Sequence, residues 1–292
     1  MISYIGFSQL SANEMVALWN KGFEGYFFNA TMELDRFLAR TVSEGLSLEH
    51  SLAIAVNGEP VGFIMNGFRM LDGKKTVWNG GTGIAKDFRG KGYGKLLLER
   101  TIEMYREQGA ERALLEAIVQ NEPAIKLYQG AGYKITGQLI GAMNESALDA
   151  SLLLPSFPHR FTIRHVKPME LRKLPYYDCL SAWQTQWQSH KDDECCMISD
   201  GAEQVGFALY KRIYSEDGKL NSIALYQCEA APGRADKSKI LKALLREVYG
   251  PLEAACKRVT LNLRSTNDEL HELLDRLGFK PYVEQVHMEL KL

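Results

Sequence analysis

Two pairs of segments in this chain repeat one another in the same order. "GEPVGFIM" is answered by "AEQVGFALY", which sets Val61-Gly62-Phe63 against Val205-Gly206-Phe207. "NEPAIKLYQGAGYK" is answered by "NDELHELLDRLGFK", and the separation from Asn121 to Gly132 equals that from Asn267 to Gly278. Internal self-similarity means that one folding plan is used twice, so two domains of one architecture are expected. At 292 residues the chain is long for one core and comfortable for two. "SLLLPSFPHR", with its two prolines, fits a linker. The expected division is a first domain over residues 1–150, a linker at 151–160 and a second domain over 161–292.

Charge and cysteine usage exclude several classes. With 46% hydrophobic and 24% charged residues and a formal charge of −1, the chain reads as a globular protein. Nothing in that balance attracts nucleic acid or an anionic membrane, and neither is expected as a partner. No apolar run is long enough to span a bilayer, and "MISYIGFSQLSANEM" lacks the features of a signal peptide, so a cytoplasmic location is expected. The five cysteines (Cys179, Cys195, Cys196, Cys228, Cys256) all lie in the second half, odd in number and without CxxC spacing. That argues against a disulfide framework. The histidines form neither HxH nor HExxH, so no metal is implied.

The first half alternates helical and extended patterns. "SANEMVALWNKGF" and "MELDRFLARTV" read as helices, and "SLAIAVNGEPVGFIMNGFRM" reads as a hairpin turning at Asn57-Gly58. The strand "KKTVWNGGTGIA" leads into "KDFRGKGYGKLLLERTIEMY", where Arg89, Gly90, Gly92 and Gly94 crowd against a long amphipathic helix. Apolar Leu97, Leu98, Ile102 and Tyr105 mark its inner face, and Gly109 ends it. The strand "RALLEAIV" follows, then a short helix capped by Asn121 with Pro123 in its first turn, then the strand "YKITGQLIGAM".

Three functions compete for the glycine cluster. A P-loop needs Ser or Thr after GxxxxGK, but Lys91 precedes Gly92 and Lys95 precedes Leu96. A dinucleotide fingerprint needs GxGxxG, but Lys86 stands where the third glycine belongs. The remaining reading, a strand followed by Arg89-x-x-Gly92-x-Gly94 and a helix, suits a pyrophosphate held by successive backbone N–H groups, with charge from Arg89, Lys91 or Lys95. A tight basic surface turn would use the same residues.

"IAKDFRGKGYGKLL" resembles the acyl-CoA signature of the GNAT superfamily of N-acetyltransferases, and "LEAIVQNEPAIKLYQGAGYK" is similar to that superfamily's next strand, asparagine, helix tyrosine and closing Gly-aromatic pair. The resemblance covers about the first 145 residues. It implies a mixed α/β fold with two central strands that splay apart, here used as two GNAT-like domains in tandem, with acetyl-CoA as co-substrate and no metal. Cofactor contacts would come from Ile84, Ala85, Arg89, Gly90, Lys91, Gly92, Tyr93, Gly94, Lys95 and Asn121. The glycine-rich "WNGGTGIA" suits a bulged strand approached by a ligand.

The implied chemistry is direct attack of a primary amine on the thioester. An ammonium near ~10.4 must lose its proton to a base or a water chain, and a thiol near ~8.5 leaves with moderate help from an acid. Tyr128 matches the superfamily's general acid; a core aromatic is the other reading. Glu116, a carboxylate in an apolar strand, resembles the base of some members and could equally be structural. Backbone N–H groups near Ile84 would polarise the carbonyl. "KGFEGYFFNATMELDRF" offers Phe23, Tyr26, Phe27 and Phe28 beside Glu24, Glu33 and Asp35 as an acceptor wall, or as ordinary helix packing. The acceptor stays open among small amines, amino acids, antibiotics and peptide termini. In the second half, Asn262 and Leu274 stand where Glu116 and Tyr128 do, and "APGRADKSKILKALL" replaces the glycine cluster. A degenerate domain without cofactor is expected there, shaping the acceptor cleft, covering the first domain or forming a homodimer contact. The rival class is a module that binds acyl-CoA, or serves as an interaction scaffold, without turnover.

Overall fold

The elements of the first half begin and end on residues whose chemistry accounts for them. After strand β1 (Ile2–Gly6), helix α1 (Ala12–Gly22) starts at Ser11, whose hydroxyl accepts the Glu14 N–H while the Glu14 carboxylate accepts the Ser11 N–H. Helix α2 (Leu34–Glu44) stops at Gly45 in the left-handed region, φ 66°. Strands β2 (Leu46–Val56), β3 (Glu59–Leu71) and β4 (Lys74–Ile84) are joined by two-residue turns, Asn57-Gly58 and Asp72-Gly73, with positive φ throughout. Such turns match the twist of the strands they join. Helix α3 (Tyr93–Glu107), strand β5 (Arg112–Ile118) and helix α4 (Glu122–Gly130) follow, and the Asn121 Oδ1 accepts the Ala124 N–H at 3.3 Å to cap α4.

From Phe161 onward the second half repeats the order of strands and of the last two helices, with short 3-10 turns where the first half has α1 and α2. Strands β6 (Lys134–Asn144), β7 (Phe161–Val166), β8 (Glu194–Asp200), β9 (Glu203–Tyr214) and β10 (Leu220–Ala230) lead to helix α5 (Lys237–Tyr249). Strands β11 (Lys257–Thr260) and β12 (Leu263–Arg264), helix α6 (Asp268–Arg276) and strand β13 (Lys280–Lys291) complete it. The computed structural model describes residues 1–154 and 161–292.

Two compact units emerge, Met1–Thr136 with Val286–Leu292, and Gly137–Gln285. The chain passes from the first to the second inside β6 and returns inside β13. This partition differs from the division expected at residues 150 and 161, because strand pairing assigns 137–150 to the second unit and 286–292 to the first. Of the expected linker, residues 155–160 lie outside the described residues, while Leu153, in a 3-10 turn, is buried in the second unit's core.

In the first unit β1 to β4 run antiparallel in chain order, β5 pairs parallel with β4, and the end of β13 follows β5. Leu97, Leu98, Ile102 and Tyr105 of α3 pack on Ile54, Val61, Ile64 and Val77, in one cluster with Val286, Met288 and Leu290 of β13. Polar contacts pin that last strand: Arg112 Nε lies 3.3 Å from the Glu289 carboxylate, and the Leu292 N–H donates to the Glu111 carbonyl at 3.1 Å. In the second unit the order is β6, β11, β10, β9, β8, β7, with α5 and α6 buried against one face.

The repeated Val-Gly-Phe has a packing cause. A Cβ at Gly62 would stand 2.3 Å from Ile84, and one at Gly206 would stand 2.7 Å from Ile240 and 2.9 Å from the Glu229 carbonyl oxygen. The valine before each glycine accepts an equivalent bond, from Ala85 N–H to Val61 at 2.7 Å and from Ala231 N–H to Val205 at 2.8 Å.

Candidate active site

The parallel pairing of β4 with β5 runs from Thr76 opposite Arg112 to Asn79 opposite Leu115. Beyond that point β4 continues to Ile84 and β5 to Ile118, so the two strands part. A bulge at Gly80, between the pairs Asn66–Asn79 and Met65–Gly81, turns β4 at the same place. The bulge agrees with the sequence, but the glycines around it serve packing. A Cβ at Gly81 would meet Trp19 at 2.8 Å, and one at Gly83 would meet Phe63 at 2.6 Å.

At the end of β4 the backbone turns into α3 through Gly90 and Gly92, with φ of 73° and 85°. The first helical bonds run from the Lys95 and Leu96 N–H groups to the Gly92 carbonyl. The N–H groups of Gly92, Tyr93 and Gly94 therefore precede the helical ladder at its positive end. Nothing lies within 4 Å of where a Cβ at Gly90 or Gly92 would project, so the backbone face of the turn is open. Lys91 Nζ sits 5.5 Å from the Phe88 ring centre and Lys95 Nζ lies 3.8 Å from Glu99. Arg89, one of the candidate charge donors, has its guanidinium engaged with backbone carbonyls. Its guanidinium donates to the carbonyls of Ile84 at 2.8 Å, Gly22 at 3.0 Å and Glu24 at 2.7 Å, bracing the turn against α1. The Ala85 N–H is likewise taken, by Val61.

Tyr128, on α4, is buried, and its phenol shares hydrogen bonds with Thr82 and Asn79 of β4. Burial pushes that phenol up to about 12, against the lowering effect of those bonds. Asn79 is itself held, its Nδ2 donating to Thr82 Oγ1 at 2.8 Å and its Oδ1 accepting the Gly81 N–H at 3.1 Å. Tyr26 is close enough to raise the Tyr128 phenol further. Burial raises Tyr26 as well, opposed by a hydrogen bond with Asn121. Tyr26, Asn121 and Tyr128 are thus brought together at the opening of the sheet.

Glu116 stands on β5 one residue past the last pair with β4. Its side chain is 4% exposed, and its Oε2 accepts the indole N–H of Trp78 at 2.7 Å. On its other oxygen, at 3.8 Å, is Nε2 of His287, equally buried. His287 belongs to the part of β13 that joins the first unit, and the sequence reading passed over it. Its signal, alternation in "VHMELKL", fixes a strand but not the strand's partner.

The aromatic segment after α1 is anchored, with the Trp19 indole N–H donating to the Ala30 carbonyl at 2.8 Å and Asn20 bonded twice to the Met32 backbone. Trp19, Phe23 and Tyr26 pack in series, the first pair tilted and the second edge-on, with centroids 4.5 and 5.1 Å apart. Phe27 and Phe28 pack edge-on against Tyr26 and remain more than half exposed.

The second unit fills the corresponding places differently. Gly233 has φ 77°, and Arg234 beside it pairs with Asp200 at 2.9 Å, Glu203 at 3.2 Å and Asp236 at 2.8 Å. Leu274 is buried, and Asn262 Nδ2 donates to Gln184 Oε1 at 3.1 Å. Among the described residues no group of His, Cys, Asp and Glu could hold a metal ion, and no helix is long and apolar enough to cross a membrane.

Residues 12–133 match the family model described as the acetyltransferase (GNAT) family. An uncharacterized N-acetyltransferase of Bacillus subtilis, YdgE, is 38% identical over 79 residues, 27% of this chain and 50% of that protein. Mycothiol acetyltransferase of Corynebacterium aurimucosum is 38% identical over 53 residues, 18% of this chain and 17% of its own. The chain thus spans half or less of each of these relatives. A GCN5-related N-acetyltransferase structure from Sphaerobacter thermophilus superposes with TM-score 0.67 at 16% identity, covering 100% of this chain and 95% of that one. A tandem GNAT protein from the clavulanic acid biosynthesis pathway superposes with TM-score 0.62 at 13% identity, covering 100% and 98%. At these identities the likeness speaks to fold, and the fold is two GNAT-like domains in tandem.

Proposed function

We propose, from the match of residues 12–133 to the acetyltransferase (GNAT) family model, that the first unit transfers the acetyl group of acetyl-CoA to a primary amine held at the wall of Phe23, Tyr26 and Phe27. The observation that carries this reading is the convergence of an open glycine turn at a helix N-terminus, a parted strand pair and a buried phenol in one unit. The residues fit the co-substrate. Bare backbone at Gly90 and Gly92, the N–H groups through Gly94 and the charges of Lys91 and Lys95 would hold its pyrophosphate. Ile84, Ala85, Tyr93 and Asn121 would line the arm of the co-substrate between that turn and Tyr128. Acetyl-CoA supplies the activated acetyl group as a thioester.

The division of labour follows from the acidities. A phenol at about 12 keeps its proton throughout the neutral range. Full transfer to a thiolate of a ~8.5 thiol would be uphill by about 5 kcal/mol, so Tyr128 serves as a hydrogen-bond donor to the departing sulfur more than as its proton source. Glu116, oriented by the Trp78 indole, is the group we assign to draw the ammonium proton, directly or through water. The second unit keeps the fold and takes no part in the chemistry, since Leu274 and Asn262 offer neither acid nor base there.

Incubation with acetyl-CoA and a broad panel of small amines, amino acids, aminoglycosides and peptides tests this, with free thiol as the readout. Release of CoA that depends on one amine class supports transfer. Saturable acetyl-CoA binding without amine-dependent release from any class would replace it with a non-catalytic acyl-CoA-binding module.

A further inference from the structure

Glu116 stands on β5, which has β4 on one side and β13 on the other. Each flanking strand turns a nitrogen toward its carboxylate. From β4 the Trp78 indole N–H donates to Oε2 at 2.7 Å, and from β13 the His287 Nε2 comes within 3.8 Å of Oε1. The two oxygens are thus divided between two strands.

Backbone pairing, and not the imidazole itself, sets where His287 lies. Just past the end of β13 the Leu292 N–H donates to the carbonyl of Glu111, just before β5, at 3.1 Å. Five residues back from Leu292 is His287, and five residues forward from Glu111 is Glu116, so the antiparallel register that this bond fixes brings the two side chains opposite each other. Arg112 and Glu289, 3.3 Å apart, make a second polar pair on the same strands. Val286 and Met288, on either side of His287 in the chain, join the apolar cluster under α3.

A polar ring at that place carries a cost that an apolar one would not. His287 is 3% exposed and the Glu116 side chain 4%, and both must replace lost water with partners. Strand alternation alone would be served by a valine or a leucine. What the imidazole adds is a nitrogen beside the carboxylate oxygen that the indole does not hold. A flexible side chain is then restrained from both flanks, at the level where β4 and β5 part.

From the reading of Glu116 as the base, on which this rests, we infer that His287 is a positioning residue for it. The imidazole on β13 and the indole on β4 together hold the carboxylate in the orientation from which it draws the ammonium proton. His287 acts through Glu116 and is assigned no contact with either substrate. The site of the first unit is thus finished by residues that follow the second unit in sequence.

Kinetics of the full chain on an amine that supports transfer test this, with His287→Leu, Glu116→Gln and the double variant compared with the unmodified protein. His287→Leu should lower kcat about tenfold and leave acetyl-CoA affinity, measured by calorimetry, unchanged. His287→Gln, which keeps an N–H on a side chain of similar reach, should recover to within about threefold of the unmodified protein. In the Glu116→Gln background His287→Leu should cost nothing further, because the group it acts through is already gone. Full additivity, equal falls in the Leu and Gln variants, or undiminished turnover in His287→Leu would each overturn the inference. NMR supplies a readout apart from activity. The ring nitrogen resonances of His287 should move on Glu116→Gln, while those of His50, which bonds to Ser47 instead, stay in place. Should no amine support transfer, the assignment of Glu116 as base falls by itself, and the resonances still decide the contact: movement supports the hold on the carboxylate and constancy overturns it. Melting curves establish that each variant is folded, and the Gln variant and the resonances decide the matter should His287→Leu fail to fold.

Discussion

The two units build the same frame and fill its central opening in contrasting ways. In the first, the strand-to-helix turn is bare backbone, Arg89 is drawn away onto carbonyls, and a phenol stands at the sheet's opening. In the second, Arg234 gathers three carboxylates over the matching turn, Leu274 replaces the phenol, and Glu229 borders a cavity with Lys237 and Asn262. The frame depends on a few packing requirements common to both, such as the glycine of Val-Gly-Phe. What fills the opening depends on side chains that the frame does not constrain, so one plan can carry different chemistry in its two copies.

The largest expected effect breaks the first half of that comparison. Gly92→Val should weaken acetyl-CoA binding more than about a hundredfold, because it puts a branched side chain on the open face of the turn. Gly73→Val is the matched control. Both glycines have positive φ, 85° and 70°, and neither Cβ would meet a neighbour, so backbone strain is shared and the cradle is not. Calorimetry on both variants checks this, and equal losses would dissolve the assignment. The same titration of the unmodified chain should give one acetyl-CoA per chain; a second bound near Arg234 would erase the contrast between the units.

Glu116→Gln is expected to lower turnover about a hundredfold at neutral pH, within the usual range for a general base. The loss should shrink as pH rises toward the ~10.4 of an alkylammonium, where the amine needs no base. A wild-type pH profile would return Glu116 to a structural role with Trp78 and His287. For Tyr128→Phe a smaller fall, about tenfold in kcat with unchanged acetyl-CoA affinity, is expected, since a donor to the leaving sulfur acts in the transition state. Single-turnover rates separate that effect from product release.

The smallest effect sharpens the second half. Burial pushes Glu229 up to about 7 from an ordinary 4.5, with Asp178 adding to the shift while Asn267, Lys237 and Arg264 oppose it. A carboxyl whose folded value is raised favours the native state most below 4.5, and that contribution is lost as pH rises through 7. Glu229→Gln removes the titration, so its melting temperature relative to the unmodified chain should rise by about a few degrees between pH 5 and pH 8. Parallel pH dependence of the two proteins would show that Glu229 is not titrating within the fold.

Much of the frame was legible because its signals are local. Asn57-Gly58 adopts the left-handed turn its residues favour, Asn121 caps the helix that Pro123 starts, and Gly109 ends α3 with φ 67°. The repeat announced a second copy of the fold, and its spacing holds in α4 and α6. Tyr128 and Asn121 could be picked out because they sit at short, fixed distances from one another in the chain. Arg89 could not be assigned so easily, since its three carbonyl partners include two more than sixty residues away.

The sequence by itself determined the elements, their doubling and the backbone freedom at Gly90 and Gly92, because dihedral preference and hydrophobic period act over a few residues. Tertiary structure decided which strand ends which unit, placing His287 beside Glu116 although 171 positions separate them. It also decided that the glycines of β4 make room for Trp19 and Phe63, and that Asn267 turns its amide toward Glu229 instead of capping its helix. Strand pairing and side-chain burial are settled by surfaces that meet only after the chain has closed on itself, and nothing in the order of residues along it states which surfaces those are.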